Sequence, residues 1–277
     1  MTLVTFWGTR GSIPTPGPET TRYGGNTACV TITEGDSLLI LDAGSGIKRL
    51  AEFLGGYQRI DILLTHLHLD HIIGLGFFSP LFNPNVEVHI WCAAGTGLGL
   101  RARLNRYLSP PLFPVRIRDL PCQLHLHEVS RTHFEIGKFK IYSDYVCHPS
   151  PTVGYRIEAG EKIIAYIPDH EPTLGSMNFP HVPEWTSGFS VAENADLLIH
   201  DAHFTPEEYP NHIGWGHSST THALQFAQMT GSKHLVFFHH DPSKTDEDLD
   251  KMMEKYVDQS AWPFPVELAV ESSTIEL

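Results

Sequence analysis

Three features of the chain predict a layered α/β or α+β fold. The 277 residues are 41% hydrophobic and 18% charged, the balance of a globular chain with a large core. Strand-sized apolar runs recur along the whole length, and helical patterns lie between them. The runs occupy residues 28–33, 37–42, 60–64, 86–91, 139–146, 153–158, 162–167, 196–200 and 234–238. We expect a single domain over residues 1–277.

Helical patterns are fewer than strand patterns. Apolar residues recur at helical spacing in 46–54 and 219–230, and the stretch 95–108 is also expected to be helical. Residues 245–256 begin with a Thr N-cap and carry acidic residues in the first turn. Asp248 stands where a full capping box has Glu or Gln, so a full box is not expected.

A stretch containing Pro and Gly, residues 171–190, predicts a loop insertion. Loops of this length inside a compact domain tend to be functional.

The charge balance disfavours some partners. With 19 Lys and Arg against 32 Asp and Glu, the net charge is −13, which is unfavourable for generic nucleic-acid or anionic-membrane binding. A local basic groove is still compatible with it. The chain has no apolar run of 18 residues and no signal-peptide pattern at its start, and its four cysteines show no CxxC spacing. We therefore expect a cytoplasmic protein without a membrane partner.

A dense group of potential metal ligands follows the apolar run 60–64. His66, His68, Asp70 and His71 fall within six residues. From an extended segment His66 and His68 can reach one ion, and the other two can turn toward a second. Imidazole and carboxylate suit Zn²⁺, Mn²⁺ or Fe²⁺. Surface histidines in a loop are the alternative, but such short-spaced clusters are rare without a metal.

This His-x-His-x-Asp-His segment resembles the signature of the metallo-β-lactamase superfamily, and the later motifs follow in the family's order. Asp42 closes an early strand, and His148 follows a later one. Asp169 and then His239 complete the series. The resemblance spans residues 42–239. It implies a four-layer αββα sandwich with the site at one edge between the two sheets.

The resemblance also implies two divalent metal ions, with zinc first and manganese or iron as alternatives. The ligands of the first ion would be His66, His68 and His148. The ligands of the second would be Asp70, His71 and His239, with Asp169 bridging both.

Three neighbouring positions refine this assignment. His240 competes with His239, which we prefer because it directly ends a strand, and a shift of one residue along an extended chain reverses the side chain. Asp42 would orient ligands or loop amides. The two-iron redox relatives usually have glutamate at the position of His68, so histidine there favours hydrolysis.

Further segments resemble the phosphodiesterase branch, which includes the tRNA 3′-processing enzyme RNase Z and small cyclic-phosphate phosphodiesterases. Residues 6–14 and 24–27 fit this branch, although their glycines equally fit turns before strands. Residues 200–204, His-Asp-Ala-His-Phe, resemble its His-Glu-Ala-Thr motif. Residues 216–220, Gly-His-Ser-Ser-Thr, resemble its Gly-His-Ser-Thr motif.

This branch implies catalytic roles for three residues. Asp201, one methylene shorter than the usual glutamate, would pair with His217 and place a protonated imidazole near the leaving group. Asp70 would accept the proton of a water that is activated between two ions and attacks phosphorus. His217 also precedes the predicted helix 219–230, whose N-terminus favours an anion such as phosphate. A histidine of a capping loop is the alternative reading of His217.

The expected function is hydrolysis of a small, perhaps cyclic, phosphodiester. The alternatives are a tRNA 3′-processing endoribonuclease, a lactone, thioester or β-lactam hydrolase, and a non-catalytic metal or nucleotide sensor. Residues 171–190 contain His181 but no Lys or Arg, which weighs against RNA. The pair of Asp201 and His217 weighs against the other hydrolases, and the full ligand set weighs against a sensor. The branch is often dimeric, so a homodimer is compatible with the resemblance.

Histidines outside these motifs are expected to be structural or exposed. They include His89, His125, His127 and His133. His203, His212 and His222 lie nearer to the motifs and could touch substrate, as could Phe204 and Trp215 by stacking, although packing is the simpler role.

Overall fold

A computed structural model describes residues 1–172, 179–180 and 182–277. Over these residues the chain forms two seven-stranded sheets with helices. The strands of the first half are β1 (Thr2–Gly8), β2 (Cys29–Glu34), β3 (Ser37–Leu41), β4 (Arg59–Leu64), β5 (Glu87–Ala93), β6 (Gln123–Val129) and β7 (Thr132–Ile136). Those of the second half are β8 (Phe139–Tyr145), β9 (Val153–Ala159), β10 (Lys162–Ile167), β11 (Leu197–Asp201), β12 (Leu235–Phe238), β13 (Val266–Leu268) and β14 (Thr274–Glu276). The α-helices are α1 (Ile47–Leu50), α2 (Leu69–Ile72), α3 (Leu100–Leu104), α4 (Phe189–Ala192), α5 (Thr220–Thr230) and α6 (Asp246–Tyr256).

Both sheets are mixed. The first has the order β14-β1-β2-β3-β4-β5-β6, with parallel pairing from β3 to β6. The second has the order β13-β12-β11-β10-β9-β8-β7, with parallel pairing from β10 to β13. The carboxyl ends of neighbouring parallel strands lie at one edge of a sheet, and loops at such an edge are the usual position of ligand sites.

The side chains of β12 alternate between two cores, one on each face of the second sheet. Val236 and Phe238 are buried in the core shared with the first sheet, where Phe238 lies 6.1 Å from Phe6 between ring centroids. Leu235 and Phe237 point the other way and pack in a second core with α4, α5 and α6. On the other sheet, α1 contacts β1 and α3 contacts β6. The order of layers is helix, sheet, sheet, helix, which confirms the predicted αββα sandwich.

All nine predicted runs form strands, with ends that shift by at most two residues. The sequence pattern does not predict strands β1, β6, β7, β13 and β14. Among these, β6 is an edge strand in which polar side chains interrupt the apolar ones, and β13 and β14 have three residues each. A short or half-solvated strand buries too little apolar surface to leave a clear pattern.

The predicted helices exist but differ in length. In α5, Ser219 caps the N-terminus by accepting a hydrogen bond from the amide of His222. The pattern at 46–54 forms α1 followed directly by a 3-10 turn, Ala51–Phe53, whereas the pattern at 95–108 yields only α3, of five residues. The second pattern is therefore overestimated at its start, where Gly95, Gly97 and Gly99 favour turns over helix.

The expectation that α6 lacks a full capping box is wrong. Thr245 accepts from the amide of Asp248 at 3.2 Å, and the Asp248 carboxylate accepts from the amide of Thr245 at 3.0 Å. Aspartate is long enough to close the box in this geometry.

Part of the predicted loop insertion at 171–190, including His181, lies outside the described residues. The described part contains a 3-10 turn, Pro183–Trp185, and helix α4. Across the described ranges, none of the helices has the length and apolarity needed to cross a bilayer.

One buried hydrogen bond joins the two sheets beside the end of β4. The Tyr155 hydroxyl donates to the Leu64 carbonyl at 2.8 Å. We expect Tyr155→Phe to lower the free energy of unfolding by about 1 kcal/mol, because it leaves a buried acceptor short of a partner. Urea denaturation measures this loss. The control Tyr145→Phe removes a hydroxyl from a 44% exposed residue and should change little. Equal stability of the two variants would contradict the prediction.

Candidate metal centre

The ends of four strands bring the predicted ligands together. His66 follows β4 in the first sheet. His148, Asp169 and His239 follow β8, β10 and β12 in the second. These strands end at the same edge of the sandwich, so residues far apart in sequence meet between the two sheets.

The first cluster consists of His66, His68 and His148, whose ring nitrogens lie within 4.8 Å of one another. Nε2 of His148 is 3.1 Å from Nδ1 of His68. The other nitrogen of His148, Nδ1, donates to the Gly216 carbonyl at 2.9 Å and fixes the ring. A Cβ at position 216 would lie 2.3 Å from that nitrogen, so the ring position requires glycine there.

The second cluster consists of Asp70, His71, Asp169 and His239, all buried. His239 Nε2 is 3.0 Å from Asp70 Oδ2 and 3.3 Å from Asp169 Oδ1. His71 Nε2 is 3.0 Å from Asp169 Oδ2. Asp169 Oδ1 also lies about 4 Å from the ring nitrogens of His66 and His148. The Asp169 carboxylate is therefore within reach of both clusters.

Unpaired buried atoms test whether these residues suit metal ions. Nε2 of His66, Nε2 of His71 and Oδ2 of Asp169 are buried and make no well-aligned hydrogen bond among the described residues, although the last two atoms lie 3.0 Å apart. Leaving such atoms unsatisfied is costly, and metal coordination would satisfy all three. The two clusters are consistent with a dinuclear metal site. Nitrogen and oxygen donors of this kind accept several divalent ions, so they do not select one metal.

Asp42 orients residues of both clusters. It accepts from His71 Nδ1 at 2.8 Å, from the Thr65 amide at 2.8 Å and from the Tyr166 hydroxyl at 2.9 Å. Thr65 Oγ1 in turn lies 3.0 Å from Nδ1 of His66. These contacts leave Nε2 of both imidazoles for the cluster. The roles of Thr65 and Tyr166 were not foreseen, although each stands beside a motif residue.

The charges at the centre are strongly coupled. Burial alone would raise the pKa of Asp169, but the imidazoles of His239, His71 and His66 hold it well below its usual range. Burial also opposes protonation of His71, yet the charges of Asp169 and Asp70 raise its pKa well above the ordinary value. For His66, burial and then the charge of His71 depress the pKa strongly. A metal ion that binds here would displace the proton of His71.

The structure brings His239, and not His240, into the cluster. The backbone of His239 has a φ of 58°. The chain therefore turns at this residue, whereas the sequence-based expectation was an extended backbone. The His239 ring fits because residue 11 is glycine. A Cβ at that position would lie only 2.3 Å from the ring. His240 points elsewhere and donates to the Ala269 carbonyl at 2.9 Å. Burial lowers the pKa of His240 to about 3.

Asp201 and His217 form a close pair next to both clusters. Asp201 Oδ2 lies 2.7 Å from His217 Nδ1, so the shorter acid reaches the imidazole. Burial opposes protonation, but the charge and hydrogen bond of Asp201 raise the pKa of His217 to about 9. The His217 ring stacks on those of His203 and His239, with centroids 4.7 and 4.9 Å away. His217 Nδ1 is 3.9 Å from Asp169.

The N-terminal Gly-Thr-Arg-Gly-Ser segment supports the second cluster. Arg10 is fully buried and donates to the carbonyls of Gly24 and Lys244 at 2.8 and 2.7 Å. This anchoring places the amide of Ser12 2.8 Å from Asp70 Oδ2. The segment therefore does more than form turns before strands.

Glu171 is a supporting residue that the sequence analysis did not identify. Its buried carboxylate accepts from the Tyr209 hydroxyl and from the amides of Gly214 and Gly216, each at 2.8 Å. It thereby holds the loop that leads into His217. Its partners, one hydroxyl and two backbone amides, lie about forty residues away and leave no local pattern in the sequence.

Known proteins share the sequence pattern and the fold of this chain. A family model described as "Beta-lactamase superfamily domain" matches residues 39–240. The chain belongs to the metallo-β-lactamase superfamily. It is a hydrolase of this superfamily with His and Asp clusters suited to metal ions.

Individual relatives are distant. Ribonuclease Z of Natronomonas pharaonis is 25% identical over 295 aligned positions, which cover 89% of this chain and 91% of the relative. The metallo-β-lactamase fold protein YhfI of Bacillus subtilis superposes with a TM-score of 0.72 at 18% identity, over 100% of both chains. A diphosphatase of the PhnP family superposes with a TM-score of 0.70 at 19% identity, over 100% of this chain and 97% of that one. The superpositions show the shared fold.

We expect Asp42→Asn to weaken zinc binding by about 10–100-fold, the usual effect of losing an orienting partner. The variant keeps every clustered ligand but replaces the carboxylate that accepts from His71. Competition with a chromophoric chelator measures the affinity. Asp36→Asn is the matched control, because that carboxylate is exposed and pairs only with Lys138 among the described contacts. An unchanged affinity of Asp42→Asn would count against the orienting role.

Proposed function

We propose that the protein is a metal-dependent phosphodiesterase that hydrolyses a small or cyclic phosphodiester. The observation that carries this proposal is the pair of Asp201 and His217 beside the two His and Asp clusters. Phosphodiester hydrolysis expels a poor, strongly basic leaving oxygen, and a buried imidazole held by a carboxylate suits that requirement.

In this proposal the clusters hold two divalent ions, zinc first. The ligands of one ion are His66, His68 and His148. The ligands of the other are Asp70, His71 and His239, with Asp169 shared. When bound, such ions activate a water and neutralise charge on the phosphoryl oxygens.

The remaining steps belong to side chains of this chain. Asp201 binds Nδ1 of His217, which leaves Nε2 to carry the proton to the leaving oxygen. The charge and hydrogen bond of Asp201, which raise the pKa of His217 to about 9, favour the protonated imidazole. Asp70 is the carboxylate that receives the proton lost by the attacking water. Its position is fixed by the amide of Ser12 at 2.8 Å.

A cavity of about 430 Å³ adjoins His68 and offers room for the organic part of the substrate. Its apolar wall includes Leu69 and Leu112, which are 58% and 70% exposed. Arg103 and Arg106 add guanidinium groups to the lining. Apolar surface with a cation nearby suits a nucleoside or aryl group that carries a further anionic substituent.

The alternatives make different demands. Hydrolysis of a thioester releases a thiolate, a weakly basic leaving group that does not need the Asp201–His217 pair. A sensor without turnover needs no such pair either. Neither of these two functions therefore explains why Asp201 and His217 are paired beside the clusters.

A tRNA 3′-processing endoribonuclease is the second candidate. The relatives named ribonuclease Z cover most of this chain, and their name states cleavage of RNA. Residues 100–118, which adjoin the cavity, contain five arginines and no acidic residue despite the net charge of −13. This local basic segment favours binding of a polyanion such as RNA. The absence of Lys and Arg from residues 171–190 weighs against it.

Metal content and substrate assays test the proposal together. We expect about two metal ions per chain and turnover of bis(p-nitrophenyl) phosphate that chelation abolishes. A β-lactam, a lactone and a thioester should react far more slowly. Cleavage of a tRNA precursor in preference to small diesters would favour the second candidate. Two ions without phosphodiester turnover would overturn the proposal.

The leaving group gives a sharper test of His217. We expect His217→Ala to lose about 10²–10⁴ in kcat with an alkyl leaving group, because general acid help is lost. The loss should be much smaller with p-nitrophenolate, which leaves without a proton. Metal content should stay at the wild-type value. His133→Ala, at an exposed position on β7, is the control. Equal losses for both leaving groups would remove the acid role of His217.

The cavity beside His68 predicts a charge-dependent effect on KM. We expect Arg106→Ala to raise KM about tenfold for a p-nitrophenyl diester that carries a second phosphate, as loss of one charged hydrogen bond implies. KM for bis(p-nitrophenyl) phosphate should hardly change. Arg118→Ala serves as control, because Arg118 is exposed, pairs with Asp119 and does not line the cavity. An equal rise in KM for both substrates would contradict anion recognition by Arg106.

A further inference from the structure

A second group of metal-binding side chains lies on β5 and β6, and it shares no residue with the clusters above. Glu87 and His89 are two residues apart on β5 and therefore point to the same face. His125 of β6 is the register partner of His89. Three potential ligands are thus placed on one face by two neighbouring parallel strands.

The three ligand atoms already converge. Glu87 Oε1 lies 2.8 Å from His89 Nε2 and 3.3 Å from His125 Nε2. All three atoms are within 4.8 Å of one another. Tetrahedral zinc with ligands at about 2.1 Å separates its donors by roughly 3.4 Å, so the donor separations need only small shifts, in addition to a rotation of the His125 ring toward the ion.

The rest of the group orients His89. Its Nδ1 lies 2.8 Å from His127 Nε2, and the His127 ring stacks on Trp91 with centroids 3.9 Å apart. Trp91 stacks in turn on Phe134 of β7 at 4.7 Å. Because His127 occupies Nδ1, the Nε2 of His89 is left for a ligand on the side of Glu87. This is the usual arrangement of a metal-bound histidine with an orienting partner.

We propose that Glu87, His89 and His125 form a further zinc site on the first sheet. Two imidazoles and a carboxylate are a recurrent zinc ligand set, with water as the fourth ligand. Glu87 and His125 are partly exposed, so water has access, whereas His89 is only 6% exposed. The rings of His89 and His125 are nearly parallel, so the exposed His125 ring turns on its χ2 angle to direct Nε2 at the ion.

The position of the proposed zinc site at the edge of the first sheet predicts its effect on the fold. β6 is the edge strand of the first sheet, paired on one side with β5. An ion held by His125 from β6 and by two residues from β5 would tie this edge to its neighbour. The expected effect is on the stability of the edge and not on turnover, because a ligand that binds only the folded state stabilises it.

Zinc titration of the zinc-loaded protein tests this site. After excess zinc is removed by gel filtration, calorimetry with Zn²⁺ should show one further saturable equivalent in the wild type. His125→Ala and Glu87→Gln should each weaken this binding at least tenfold. His133→Ala, which removes an exposed histidine from the adjacent β7, should leave it unchanged. The proposed site would be overturned if His125→Ala and Glu87→Gln both bound zinc as the wild type does. It would also be overturned if the wild type showed no saturable binding.

Nitrogen NMR of the histidines separates coordination from a plain hydrogen bond. Zinc should shift the Nε2 resonances of His89 and His125 and leave that of His133 in place. The zinc-dependent rise in melting temperature should be lost in His125→Ala, while phosphodiester turnover stays at the wild-type rate. Absence of the two Nε2 shifts at saturating zinc would overturn the proposal even if zinc binds elsewhere.

Discussion

The structure depends on one constraint, the need to satisfy ionisable atoms buried between two sheets. Asp169 is the centre of this arrangement, because its two oxygens face both clusters of ligand atoms. Without partners, such buried charges would destabilise the fold by several kcal/mol. The sandwich supplies part of the compensation through neighbouring imidazoles, and Nε2 of His66, which has no hydrogen-bond partner among the described residues, would coordinate a metal ion in our proposal.

Supporting contacts extend this arrangement into distant parts of the chain. Asp42 connects the end of the first sheet to Tyr166 of the second. Arg10 fastens the N-terminal segment to carbonyls near α6, and Glu171 fastens the loop that leads into His217. Because each contact joins segments far apart in sequence, the site is assembled only when both sheets are packed. Ligand geometry and global folding are therefore closely linked.

The sequence indicated the layered fold and the residues that meet at its edge, since short ligand motifs follow strong strand patterns. It did not indicate β6, whose polar face belongs to a half-solvated edge. Nor could it identify Glu171 or Arg10, whose hydrogen bonds go largely to backbone groups that any residue supplies. The capping box closed by Asp248 was misjudged because the rule reflects residue preference, while the contact depends on local distance.

The stack of His203, His217 and His239 has a consequence for how this site can change. His217 rests against a residue of the second cluster, with ring centroids 4.9 Å apart. Any substitution of His239 therefore removes a wall of the pocket that holds the His217 ring. In the proposed function, a change of His239 would therefore lower metal affinity and also disturb proton delivery by His217. The dependence runs in one direction, because loss of the His217 ring leaves every residue of the second cluster in place.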